Sequence, residues 1–223
     1  MELLDFLHQT QAEVRTQIDE RMAEPEGSYP YPESVFAEVV MNHMEDIGMT
    51  FEPNVCHYDA RVGNAKLRLS GYAISEDADQ IDLFVSLYEG VDEITPVSDT
   101  ETKTAAEQCL RFVARCAEGR LAGTMDPAND AYPLALNIQD GYRQLDQIRI
   151  YVLTDRVAKS KNFVVREVRD KTVKLEVMDI ERLIATGPRG SRARNSWSIS
   201  ISFPAARSLA SMFPAKQPTM TMR

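Results

Sequence analysis

Apolar positions recur along this chain first with a helical period and then with a strand period. Leu3, Leu4, Leu7, Val14, Ile18 and Met22 mark one face of a first amphipathic helix, which must end before Pro25-Glu26-Gly27. Tyr29-Pro30-Tyr31-Pro32 reads as an extended connector. Ser34 is placed to cap a second helix with an apolar face of Val35, Phe36, Val39, Val40, Met44 and Ile47, stopped at Gly48. The period then changes to two. Val55 to Arg61 reads as a strand, Gly63-Asn64 as a turn, and Leu67–Ile74 and Ile81–Tyr88 as a hairpin around the acidic turn 75–79. Alternation puts Leu67, Leu69, Gly71 and Ala73 on one face of its first strand. In its second strand Ile81, Leu83, Val85 and Leu87 share a face, with Asp82, Phe84 and Ser86 opposite.

Beyond an acidic loop to about Thr100, the helical period returns from Ala105 through Cys109, Phe112, Val113 and Cys116 to Leu121. A shorter helix is expected from Tyr132 to Leu145, and a buried strand from Ile148 to Thr154. Strands at Phe163–Val168 and Val173–Val177 and a short helix at Asp179–Ile184 complete the pattern, without internal repeats. Strands interleaved with amphipathic helices predict an α/β fold, a mixed central sheet flanked by helices. The expected organisation is an N-terminal helix and connector over 1–31, an α/β domain over 32–187 and a basic tail over 188–223.

Composition narrows the class. With 43% hydrophobic and 26% charged residues the 223-residue chain is ordinary for a globular domain. It contains no apolar run of the roughly 18 residues that span a bilayer and no leader pattern, so a cytoplasmic protein without a membrane partner is expected. Three cysteines, Cys56, Cys109 and Cys116, lack zinc spacing and suit buried thiols rather than a disulfide framework. The net charge of −9 argues against non-specific nucleic-acid binding but leaves room for a local basic cleft. Charge is uneven: six basic and no acidic residues follow Thr186, so the preceding part carries −15. The tail is expected to be disordered and its composition suits a frameshift product, which an open adjacent frame past Arg223 in the gene would show.

One residue stands out chemically. Asp82 is a carboxylate inside an otherwise apolar strand, where burial without a partner costs several kcal/mol. The bland explanation is a place at the sheet edge with an ion pair to an arginine such as Arg68. His43 and His57 lack the i, i+4 spacing of metal ligands and suit structural roles. Thr154-Asp155-Arg156 follows a buried strand, as either a binding loop or a plain turn. There is no Gly-rich phosphate loop and no Gly-x-Ser-x-Gly elbow.

The order helix, three strands, helix, strand resembles the αβββαβ core of the PD-(D/E)XK, or restriction-endonuclease-like, fold. That resemblance implies an acidic residue on the second strand and an acid two residues before a lysine on the third, together holding Mg²⁺ or Mn²⁺. Laid on this chain, Asp82-Leu83-Phe84 takes the third-strand motif, with Phe84 in place of the lysine, and Ser70 takes the second-strand position. Glu38 or Glu45 on the preceding helix would supply a further metal ligand.

The hairpin segments Ser70–Ile74 and Ile81–Tyr88, the strand end Leu153-Thr154-Asp155 and Met178–Leu183 together resemble the N-terminal region of abortive infection phage resistance (AIPR) proteins, from about Glu33 to Leu183. The resemblance implies a bacterial phage-defence protein with a nuclease-like N-terminal domain, longer relatives carrying a large C-terminal domain. In those relatives an acidic residue tends to precede the Gly-Tyr of the second strand, where Ser70 stands here. The expectation is a degenerate nuclease-like module that contacts nucleic acid through a local cleft, or other defence proteins. The alternatives are an active metal-dependent nuclease using Asp82, and an α/β binding domain unrelated to defence.

Overall fold

The structure, a computed structural model, describes residues 2–24 and 30–186. The expected basic tail lies outside the described residues. Two N-terminal helices, α1 (Leu3–Met22) and α2 (Pro32–Asp46), precede a meander of β1 (Pro53–Val62), β2 (Ala65–Ile74) and β3 (Gln80–Leu87). A short β4 (Pro96–Val97) leads into α3 (Asp99–Ala117) and α4 (Tyr132–Gly141). Then follow β5 (Gln147–Thr154), β6 (Val157–Ala158), β7 (Arg166–Val168), β8 (Lys171–Met178) and α5 (Ile180–Thr186). The main sheet has the order β1-β2-β3-β5-β8-β7, while β4 and β6 form a separate two-stranded pair. β3, β5 and β8 run parallel; the β1/β2, β2/β3 and β7/β8 pairs are antiparallel. The α/β fold with a mixed sheet and flanking helices is therefore present.

Each face of the sheet has its own core. Leu67, Leu69, Ile81, Leu83, Val85, Ile148, Ile150 and Val152 pack with Cys109, Phe112 and Val113 of α3 and with Leu134 and Ile138 of α4. On the other face Phe84, Tyr151 and Leu153 meet Leu7 and Val14 of α1, Phe36 and Met41 of α2, and Ile180 and Leu183 of α5. The N-terminal helix thus shares a core with the α/β domain. The three cysteines are free and buried, and burial pushes their thiols up, Cys56 and Cys116 to about 12.

Local departures from the sequence reading have physical causes. α2 starts at Pro32 with Tyr31 as its cap residue, rather than at Ser34, because proline is pre-set for the first helical turn. Gly48 ends it in the left-handed region, φ +71°. The strand expected from Phe163 begins as a regular strand only at Arg166; before it Asn162 bridges to Glu176, and Val164 and Val165 stand exposed.

The alternation across β2 also breaks. Val55 pairs with Gly71 but Tyr58 pairs with Leu69, so two residues of β1 oppose Ser70 alone, a β-bulge. Leu67 and Leu69 face α3, whereas Ala73 packs in the core beneath α2 and a Cβ at Gly71 would meet Met41 Sδ at 2.5 Å. Gly71 and Ala73 therefore lie on the face opposite to the expected one.

Candidate functional site

β3 lies between β2 and β5, so Asp82 is in the sheet interior and fully buried. It sits in register with Arg149 of the parallel neighbour β5 and with Ala73 of β2. Arg149 grips it with both donors, Nε to Oδ1 at 2.7 Å and an Nη to Oδ2 at 2.5 Å. Thr50 Oγ1 donates to Oδ2 at 2.7 Å and Gln80 Nε2 to Oδ1 at 3.3 Å. Burial works against the Arg149 guanidinium, but Asp82 outweighs it and the arginine pKa rises. Arg149 also donates to the Met49 carbonyl and lies over the Tyr151 ring, 5.5 Å from its centroid. Both Asp82 oxygens are thus taken by donors of the protein. The edge position and the Arg68 partner expected from sequence are replaced by an interior position and Arg149.

The other expected ligands point elsewhere. Glu38 pairs with Arg21 of α1 at 2.5 Å. Glu45 is exposed, and its carboxyl is raised by partial burial and then by Glu52 and Asp46. Among the described residues no group of three or more His, Cys, Asp or Glu could hold a metal ion. His43 tilts against Phe6, and His57 stacks on the exposed Tyr31 with ring centroids 5.4 Å apart.

A second polar centre forms where β2 and β3 part. Their backbone register ends at Gly71 and Phe84. Beyond it, Ser86 N–H donates to Ser70 Oγ at 3.0 Å, and Arg68 donates to the Ser86 carbonyl at 2.9 Å. Side chains of β2 thereby replace the missing ladder bonds. The Ser86 hydroxyl is buried and makes no hydrogen bond among the described residues. Arg68 also contacts Glu33, near the start of α2, at 2.6 Å and Asp59 at 3.6 Å, while Lys66 holds Asp59 at 3.0 Å. Burial raises the Glu33 carboxyl and outweighs the opposing pull of Arg68. Two residues on, Tyr88 donates to Gln11 Oε1 at 2.5 Å and stacks on Phe36.

Ser70 faces Ser86 rather than Asp82, and Ser86-Leu87-Tyr88 lies four residues past Asp82-Leu83-Phe84. Sequence reading missed Glu33 and Ser86 because neither breaks the periodicity, and it offered Arg68 only as a partner of Asp82.

Thr154-Asp155-Arg156 is a turn that ties loops together. Thr154 Oγ1 donates to the Leu87 carbonyl. Asp155 accepts the backbone N–H of Gly90 at 2.8 Å and of Val91 at 3.1 Å, and Gln11 Nε2 at 3.0 Å. Arg156 lies between Glu89 and Glu101, 3.3 Å from each. A groove of about 420 Å³ opens elsewhere, between the β2/β3 turn and α4, lined by Ile74, Ile81, Ile138 and Leu145.

Fold and site define a mixed α/β domain whose buried Asp82 carboxylate is bound by the protein's own Arg149. Residues 36–185 match the model of the abortive infection phage resistance protein N-terminal domain. The chain belongs to this family, and with it to the proteins of abortive infection defence against phage. No curated protein and no solved structure matches it. No helix among the described residues is long and apolar enough to cross a membrane.

Proposed function

We propose that this chain acts in phage defence as a non-cutting, nuclease-like module that engages nucleic acid or a defence partner. The observation that carries this reading is the make-up of the buried polar centre at Ser70 and Ser86. With the third-strand motif aligned on Ser86, which faces Ser70, instead of on Asp82, serine stands at both positions where carboxylates would hold Mg²⁺ or Mn²⁺. Tyrosine then stands at the lysine position, and the Arg68 guanidinium sits between Glu33 and Asp59. A divalent cation needs several free oxygen ligands, and a fixed positive charge opposes its entry. The order α2, β1, β2, β3, α3, β5 supports a restriction-endonuclease-like core. Asp82 adds nothing to catalysis on this reading, because hydrogen bonds occupy both its oxygens.

The test is incubation with plasmid and single-stranded RNA in Mg²⁺ or Mn²⁺. The expected outcome is intact nucleic acid, with any binding weakened in Arg68→Ala and unchanged in Glu45→Gln. Metal-dependent cleavage that disappears in a folded Asp82→Asn variant would overturn the proposal.

A further inference from the structure

β1 is an edge strand of ten residues, and the backbone bonds it makes among the described residues are those of its ladder with β2. Edges of this length are templates for another strand unless guarded. The two-residue turn Gly63-Asn64, with Gly63 at φ +62°, is closed by the Val62–Ala65 pair. Hairpins of this kind hydrogen-bond at the closing pair and at every second residue from it. The backbone groups of Val62, Ala60 and Tyr58 therefore point at β2, and those of Arg61 and Asp59 point away from the sheet.

From this geometry we infer that β1 pairs antiparallel with β1 of a second copy of this chain, centred on Ala60. Two-fold pairing within the regular stretch 59–61 allows three centres. A centre at Asp59 or at Arg61 sets like charges directly opposite one another, which is destabilising. The centre at Ala60 sets Asp59 opposite Arg61 twice, and these are the residues whose N–H and C=O groups face outward. Arg61 is exposed and makes no ion pair among the described residues, and His57 and Val55 further along β1 are also exposed. Charges that guard an edge repel a second copy of themselves; these match under a two-fold axis. The isologous contact joins two six-stranded sheets into one continuous sheet.

Light scattering on the full chain reads the oligomeric state. A dimer is expected for the natural sequence and a monomer for Arg61→Pro, since proline removes an outward N–H while leaving the ladder to β2 intact. Unchanged far-ultraviolet dichroism separates that loss from unfolding. Ala60→Cys gives a second readout. In a pair centred on Ala60 the two Cα atoms lie about 4.5 Å apart, within disulfide reach, so oxidation yields a covalent dimer. Arg61→Cys, facing Asp59 of the other copy, yields far less, and the native thiols are buried. A monomeric natural chain, a dimer that survives Arg61→Pro, or equal cross-linking at positions 60 and 61 overturns the inference. A monomer whose edge is taken by a different protein overturns it too.

Discussion

Replacing Asp82 by alanine leaves the Arg149 guanidinium, only 19% exposed, beside a cavity and without its carboxylate. Breaking such a pair costs about 3–5 kcal/mol, so Asp82→Ala should shift the urea midpoint strongly downward. The double variant Asp82→Leu/Arg149→Met should recover much of that loss, because an apolar pair removes both desolvation penalties. A double variant as unstable as Asp82→Ala would show that Thr50 and Gln80, rather than the ion pair, set the cost. The oddity of Asp82 was legible in the sequence, since a lone acid among apolar strand residues demands a partner. The partner's identity was not. Arg149 lies 67 residues away, and only the parallel pairing of β3 with β5 brings it alongside. Glu33, and the role of Arg68 beside it, were invisible for a different reason: a half-buried charge near a helix start or on a strand face looks like any solvated one.

At the scale of elements, periodicity located the five α-helices among the described residues and the long strands, because each buries one continuous stripe or face. It failed at β4 and β6, whose two residues each carry no period, and across the bulge opposite Ser70. There the side chains of β2 change face between Leu69 and Gly71 while Cys56, Tyr58, Ala60 and Val62 of β1 keep to one face, and no residue type in β2 announces the change. Gly71 has its explanation here. A Cβ at this position would come within 2.5 Å of Met41 Sδ and 3.0 Å of the Asn54 carbonyl, so glycine is what lets α2 lie close to β2. Gly71→Ala should cost about 1–3 kcal/mol by overpacking, read as a lower thermal midpoint. Met41→Ala in the same chain should return part of it, since the flexible thioether is the nearer obstacle. No recovery would place the strain on the Asn54 backbone instead.

At the scale of the whole molecule, the family match begins at residue 36 but the folding unit does not. α1 buries Leu7, Val14 and Ile18 against α2 and α5, and Gln11 joins Tyr88 to the Asp155 turn. Burial of three such side chains contributes roughly 5 kcal/mol or more, comparable to the entire stability of many domains. A chain beginning at Pro30 should therefore lose its cooperative thermal transition and bind a hydrophobic dye; a sharp, unshifted transition would make α1 an accessory. The sequence marked α1 as amphipathic but left its docking partner open, since an apolar stripe does not say which surface covers it. The side-chain takeover of the Ser86 backbone bonds bears on the evolution of this lineage. A carboxylate introduced at Ser70 alone enters a buried position next to a strand whose arginine is already shared between Glu33 and Asp59, and one at Ser86 alone enters a fully buried position without a donor. Tyr88 and Arg68 must change as well before a metal finds room. On the function proposed above, each intermediate loses stability before any reaction is gained, so selection works against the path back. A lineage that lost cutting in this way would keep its shape for other uses.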